Sequence, residues 1–351
     1  MSKSKKRIRI RSRIKIRTGR SEDSDEDMTP APPALDCWYL TGPTAAGKTK
    51  VGVELARRLN AEIVSLDSMA LYQAMDIGTA KPTAADRAAV PHHLLDLIPP
   101  TEEFSLSQYI DAAHAAIGEI RSRGKEVLFV GGTPLYLKSL LRGVFQGPPA
   151  DWDFRAAIEK ELGSLPLAAL HQRLQVIDPL LAAKLHPNDK RRIIRGLEVF
   201  KLTGERLSHL QMQFDEGQPA SASKVFVLAW PREELHRRID ARVEQMFAAG
   251  LVEEVRGLVA KFGTLSRTAV QAVGYLEVLE WLAGTGDGGQ GTGDKALADC
   301  VERVKARTRQ FARRQETWFR SLSECTLTPM QGDVSPEAAA HTILTAAAVR
   351  G

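Results

Sequence analysis

Long apolar runs, paired cysteines and a charge imbalance in the body are all missing from this chain of 351 residues, and each absence removes a class of function. No apolar stretch approaches the roughly 20 residues that span a bilayer, and the N-terminus lacks the apolar core of a secretory leader. A membrane or secreted protein is therefore not expected. The three cysteines, Cys37, Cys300 and Cys325, are widely spaced, with no Cys-x-x-Cys pair and no Cys/His cluster. Their spacing argues against a disulfide framework or a structural zinc and points to a reducing cytoplasm.

The net charge of +5 suggests a nucleic-acid binder until it is located. Residues 1–27 hold ten Lys/Arg and five Asp/Glu, which leaves the two signs equal in the rest of the chain. The run from Lys5 to Arg11 alternates cation with isoleucine, then gives way to the acidic Glu22 to Asp27 and to Ala31-Pro32-Pro33. Residues 1–36 read as a disordered arm that adds only non-specific attraction to RNA phosphates; a solvated tail, or a true start at Met28, is the expected explanation. With 43% apolar residues, the remainder can bury a large core, either as one domain with an insertion or as two.

What is present is a phosphate-binding loop. Gly42-Pro43-Thr44-Ala45-Ala46-Gly47-Lys48-Thr49 lies between the apolar strand 37–41 and a helical run ending at Leu59. A loop of this spacing turns backbone N–H groups around a diphosphate, and the helix N-terminus adds positive potential. Lys48 then reaches the outer phosphate and the Thr49 hydroxyl can ligate Mg²⁺.

Around the loop the chain follows an α/β rhythm: helix 48–59, strand 61–66, helix 107–122 and strand 126–130. Such alternation makes a parallel sheet with ligands at the strand C-termini. Asp67-Ser68 closes the second strand and Gly131-Gly132-Thr133 the third, so the three loops are expected to share one crevice. From Gly147, after which Pro148-Pro149 interrupt the chain, the pattern turns helical at 154–162, 167–177 and 189–203. The division expected is an arm (1–36), a first core part (37–146), a helical insertion (147–214), a second core part (215–330) and a C-terminal tail or helix (331–351). The second core part holds a buried strand 224–230, a helix from Pro231 to Ala249 capped by Gly250, and helices at 250–262, 268–283 and 295–320. The last two are separated by Gly284 to Asp294, a glycine-rich linker expected to be mobile. Residues 325–328 are expected as an edge strand and 337–349 as a closing helix.

A hydrolytic phosphate-loop protein usually ends an apolar strand in a carboxylate that holds Mg²⁺. Here Val127-Leu128-Phe129-Val130 ends in Gly-Gly-Thr, and the available carboxylate is Asp67, on another strand end. So placed, Asp67 can act as general base toward an acceptor, as an outer-sphere Mg²⁺ ligand, or as the cap of the turn at Ser68-Met69.

Taken together, these segments resemble the tRNA dimethylallyltransferases (isopentenyltransferases) over roughly residues 40–320. The resemblance rests on 42–49, Asp67-Ser68 with Tyr72, Asp76-Ile77-Gly78-Thr79-Ala80-Lys81-Pro82, Pro91-His92-His93-Leu94-Leu95-Asp96, and Gly131 to Tyr136. It continues in His186-Pro187-Asn188-Asp189 with Arg192 and Arg195, in Val273-Gly274-Tyr275, and in Thr308-Arg309-Gln310-Phe311-Ala312-Arg313-Arg314-Gln315. It implies an α/β, P-loop-containing parallel-sheet core with an inserted all-helical domain. It also implies transfer of a dimethylallyl group from dimethylallyl diphosphate, with Mg²⁺, to the N6 amine of the adenosine 3′ of the anticodon (position 37) in tRNAs reading codons that begin with U. The absence of a Cys/His finger near the C-terminus marks the bacterial type.

By the same matching, Asp67 takes the proton from N6, Lys48 and Thr44 attend the phosphates, and Arg238 and Arg242, four apart on one helix face, look like diphosphate-side arginines. The resemblance assigns contacts with the tRNA anticodon stem-loop to Asp67, Ser68, Met69, Ala70, Thr133, Arg155, Arg191, Arg192, Ile193, Ile194, Arg195, Gly274, Tyr275, Arg309, Gln310, Arg313 and Arg314. Leu276 stands where a basic residue is usual, which removes one expected cation. A monomer is expected, with tRNA as its large partner and no membrane contact.

His92 and His93 read as hydrogen-bonded structural or substrate-adjacent residues rather than metal ligands, and Trp230, Trp281 and Trp318 as core. Two other functions remain open on the residues alone. One is a different phosphate-loop transferase, either a small-molecule kinase or an isopentenyltransferase of free adenine nucleotides; the other is a non-catalytic RNA-binding protein.

Overall fold

The computed structural model describes residues 32–143, 147–212, 217–284 and 294–349. The expected disordered arm, up to residue 31, and most of the expected mobile linker at 284–294 lie outside the described residues.

The first half of the sheet is built from β1 (Trp38–Thr41), α1 (Lys48–Leu59), β2 (Ala61–Ser65), α2 (Ala84–Ala89), β3 (His92–His93), α3 (Leu106–Ser122), β4 (Glu126–Val130) and α4 (Pro134–Arg142). The helices α5 (Trp152–Glu161), α6 (Leu167–Ile177), α7 (Pro179–Lys184), α8 (Lys190–Thr203) and α9 (Leu207–Leu210) come next. The chain then returns through β5 (Val225–Ala229), α10 (Arg232–Ala248), α11 (Leu251–Phe262), α12 (Arg267–Val270), α13 (Tyr275–Gly284), α14 (Asp294–Ser321), β6 (Cys325–Pro329) and α15 (Pro336–Ala348).

All strand pairs are parallel, in the order β3-β2-β4-β1-β5-β6. The central strands are apolar on both faces because helices cover both. In β1, Tyr39 packs into one apolar cluster with Phe129 and Tyr109, while Trp38 and Leu40 pack into another with Leu55 and Phe226. Helices α5 to α8 bury a separate cluster, which includes Ile158, Leu170, Leu174, Ile193 and Leu197.

Three local outcomes differ from the sequence reading. The span expected as one helix at 268–283 is two, α12 and α13, broken before Gly274, whose φ of 95° no helix accommodates. Gly250 is not the residue that caps α10; that is Ala249, and Gly250, at φ 97°, opens α11 instead. Trp318 is not core, with 40% of its surface exposed on α14, whereas Trp230 is buried and Trp281 packs against a core cluster.

Candidate active site

The phosphate loop joins β1 to α1, and its shape comes from three left-handed or glycine-only conformations: Gly42 at φ 144°, Ala45 at 63° and Gly47 at 89°. A Cβ on Gly42 would stand 2.8 Å from the Leu228 carbonyl oxygen on β5, so the loop can track the sheet only with glycine there. Its carbonyls are turned outward and held by donors. Arg238 Nε donates to Ala45 O at 3.0 Å and the Trp230 indole to Ala46 O at 3.0 Å. The first-turn N–H groups of α1 have no carbonyl to bond within the helix, which leaves donors for an anion at Lys48 and Thr49.

Lys48 Nζ donates to Gly42 O and Pro43 O. Burial, reinforced by the positive charge of Arg242 and opposed by Asp67, lowers its pKa to about 7. Burial also lowers that of Arg242, whose Nε has no hydrogen-bond partner among the described residues. A buried guanidinium nitrogen without an acceptor is costly until a ligand supplies one. Beside it is a cavity of about 350 Å³, lined by Ala45, Gly47, Arg237, Arg238, Ala241, Arg242 and Gln245. The Arg238 guanidinium is stacked 4.2 Å over Trp230, which fixes it at the cavity wall.

The β2 and β4 ends approach the loop as expected. Thr41 Oγ1 donates to Gly131 O at 2.8 Å, and Thr133 N donates to Leu66 O at 3.1 Å. A Cβ on Gly131 would lie 2.2 Å from the Leu66 carbonyl, so this crossing needs glycine. Thr133 Oγ1 accepts from Ser68 N at 3.1 Å. Asp67 is half-buried; its Oδ1 accepts from Met69 N at 2.8 Å, so one oxygen does cap the turn while the other lies outside that bond. Asp67 sits close enough to Lys48 and Arg242 that its charge supports their protonation.

The residues proposed for RNA fall into two groups. Arg191, Arg192, Gln310, Arg313 and Arg314 are exposed, Arg192 pairing with Asp189 at 2.6 Å. Others are engaged inside the protein. Arg155 makes two bonds to Glu198, at 2.7 and 2.8 Å, and Arg195 a third at 2.5 Å, around a carboxylate with no exposed surface. Arg309 pairs with Asp240. Ile193, Ile194, Ala70 and Tyr275 are buried, and Gly274 N donates to Glu277. Contact with RNA at these last five positions would have to use backbone atoms. Tyr275 instead supports a loop: its hydroxyl donates to Glu254, whose carboxylate accepts from the backbone N–H of Asp76 and Ile77.

His93 bonds Glu62 and His92 bonds the Val90 carbonyl, as structural histidines do. One residue of the site escaped sequence reasoning. Gln315, at the end of a motif chosen for its arginines, is buried and touches both the phosphate loop and the β4 loop. A glutamine closing an otherwise basic motif was the only signal.

A doubly covered parallel sheet, a phosphate loop, and a carboxylate on a different strand from the usual metal-binding one define a phosphate-loop group-transfer protein. Comparison with known proteins narrows this. The family model described as IPP transferase matches residues 70–322. The tRNA dimethylallyltransferase of Rhodopirellula baltica is 48% identical, covering 88% of this chain and 92% of its own. That of Pelotomaculum thermopropionicum is 41% identical over 87% and 94%. Among solved structures, the tRNA isopentenylpyrophosphate transferase of Bacillus halodurans superposes with a TM-score of 0.63 at 37% identity, covering 90% of this chain and 96% of that one. A eukaryotic dimethylallyltransferase acting on tRNA gives 0.68 at 27%, covering 84% and 74%. The chain belongs to the IPP transferase family.

Proposed function

We propose that this protein transfers the dimethylallyl group of dimethylallyl diphosphate to N6 of adenosine 37 in tRNAs that read codons beginning with U, releasing diphosphate and leaving N6-isopentenyladenosine. The observation that carries the reading is that Lys48 and Asp67 share one crevice, near enough for the Asp67 charge to favour the Lys48 ammonium, and that its β4 end, Gly131-Gly132-Thr133, bears no carboxylate. The names of the family members support it.

An allylic C–O bond ionises readily once its departing diphosphate is neutralised, and the loop N–H groups, Lys48, Arg238 and Arg242 are suited to that. Adenine N6 is a weak nucleophile because its lone pair is delocalised into the ring. Asp67 accepts its proton as the C–N bond forms. A water-activating carboxylate after Val130 would waste the allyl group, which gives its absence a reason.

The donor set suits Mg²⁺: the Thr49 hydroxyl offers a hard oxygen ligand, and no group of three or more His, Cys, Asp or Glu forms a metal cage among the described residues. An ion held by Thr49 and by the substrate's own phosphates fits that arrangement and would supply charge neutralisation at the leaving group. The anticodon loop is clasped between the sheet core (37–146 and 215–330) and the helical insertion (147–214), with the target base flipped toward Asp67 and Thr133. Exposed Arg191, Arg192, Arg313 and Arg314 meet phosphates. No helix among the described residues is long and apolar enough to cross a membrane. The reading takes the protein as a monomer that works on tRNA in the cytoplasm.

Unmodified tRNA and AMP as acceptors, each offered with dimethylallyl diphosphate or ATP as donor, test the reading. Prenylated tRNA is expected; prenylated AMP, or a phosphorylated small acceptor, would replace it with one of the rival transferases. Tight RNA binding with no transfer from either donor would leave a non-catalytic RNA-binding protein.

A further inference from the structure

Gln315 lies on the buried face of α14, with 3% of its surface exposed. Its side-chain amide spends both ends on two different loops. Oε1 accepts from the Thr44 N–H of the phosphate loop at 2.9 Å, and Nε2 donates to the Gly132 carbonyl at 2.6 Å. Gly132 is followed by Thr133, which holds Ser68 and so the turn that carries Asp67. One amide therefore stands midway in a hydrogen-bonded chain running from the donor-binding loop to the proton acceptor.

Two further facts make this more than a satisfied core glutamine. A Cβ on Gly132 would lie 2.6 Å from Gln315 Nε2 and 3.3 Å from Lys48 Nζ, so the β4 loop is glycine where amide and lysine converge on it. The Thr44 N–H, spent on Gln315, is withdrawn from the set that could face phosphate, which leaves the Thr44 hydroxyl as that residue's remaining donor.

We propose that Gln315 is a positioning residue that fixes the spacing between the donor loop and the acceptor side of the crevice, and so decides whether the allyl group reaches nitrogen or water. This rests on the prenyl-transfer reading. In the productive reaction the allylic C–O bond breaks, its electron pair leaves with diphosphate, N6 bonds the allyl carbon and Asp67 takes the N6 proton. When the loops drift apart, the same C–O bond still breaks but a water oxygen captures the carbon and loses its proton to solvent. The products are then dimethylallyl alcohol and diphosphate. Misplacement by about 1 Å is enough to cost on the order of 10²-fold in such a transfer.

The test measures both products from labelled dimethylallyl diphosphate with an unmodified tRNA, for the wild type, Gln315→Met and Gln315→Glu. Methionine keeps the length without either hydrogen bond. It should lower kcat for transfer about 10- to 100-fold, leave KM for tRNA within about threefold, and raise the share of consumed donor found as alcohol severalfold. Glutamate keeps an acceptor for Thr44 N–H but sets a second oxygen against Gly132 O. Only its protonated form can donate there, so the ratio of its transfer rate to that of the wild type should climb as pH falls. Taking the ratio cancels every pH effect common to both proteins.

An unchanged alcohol share in Gln315→Met together with a flat pH ratio for Gln315→Glu would overturn the proposal. Should the methionine variant fail to fold, the pH ratio of the glutamate variant decides alone. If the wild type itself yields no prenylated tRNA, the transfer reading fails and this inference with it. That outcome differs from wild-type transfer accompanied by indifferent variants.

Discussion

Lys48 Nζ donates to the carbonyl oxygen of Gly42 at 2.9 Å, so the lysine proposed to meet a phosphate is folded back on its own loop. With its pKa held near 7, it is mostly neutral at pH 8. A bound diphosphate would favour the ammonium and draw in a proton. Calorimetry at pH 8 in two buffers of different ionisation enthalpy should register proton uptake on diphosphate binding, and Lys48→Met should lose most of it. Equal uptake by the variant would place the titrating group elsewhere.

The same lysine shapes stability. Its folded-state pKa, about 7, lies below the ordinary 10.5, so the unfolded chain binds more protons across that window. Burying Lys48 therefore costs stability in full below pH about 7, and the cost is relieved as pH rises from there to about 10.5. Denaturant melts of wild type and Lys48→Met at pH 6.5 and 9.5 should show the variant's advantage shrinking at the higher pH.

Asp67→Asn keeps an oxygen for the Met69 N–H, so the turn should survive while the base is lost. Turnover is expected to fall about 10²- to 10⁴-fold with tRNA affinity largely intact. Single-turnover rates beside a binding isotherm check this, and an unchanged rate would remove Asp67 from the mechanism.

The arginines divide by surroundings. Arg313→Ala and Arg314→Ala, at exposed sites, should each reduce the slope of log affinity against log salt by about 1 and leave stability within about 0.5 kcal/mol. Arg155→Ala should act through folding instead, because it strips a bidentate partner from the fully buried Glu198. Removing one partner of a buried pair costs about 3–5 kcal/mol; Arg195, still bound to Glu198, should hold the loss below that range. A salt-slope change in Arg155→Ala without loss of stability would contradict this division.

Gly131→Ala should destabilise by at least about 1–3 kcal/mol, since its Cβ would meet Leu66 backbone at 2.2 Å and no rotamer relieves that. A melting temperature equal to the wild type's would show that the β2 and β4 ends have room the structure does not give them.

Much of this was legible in the chain. The parallel sheet announced itself through apolar runs alternating with amphipathic ones, and the shared crevice through small or acidic residues at 67 and 131–133. What stayed hidden has physical causes. The strand His92–His93 is two polar residues long and carries no period. The break before Gly274 sits inside an otherwise helical pattern, where a single glycine reads as tolerated. Arg155 reads as an RNA contact because Glu198, its buried partner, is 43 residues away on another helix, while Arg195 stands three residues from that carboxylate on its own helix, a spacing that exposed ion pairs share. Gln315 joins residues 271 and 183 positions away, a separation no local pattern encodes.

The central claim is tested most directly by incubating the protein with radiolabelled dimethylallyl diphosphate, Mg²⁺ and an unmodified tRNA whose anticodon is followed by adenosines. The same RNA with guanosine at the 3′-adjacent position serves beside it. The account predicts label in the first RNA and none in the second. Equal label in both would contradict the site, and label in neither, with ATP-derived phosphate appearing on a small acceptor, would contradict the reaction.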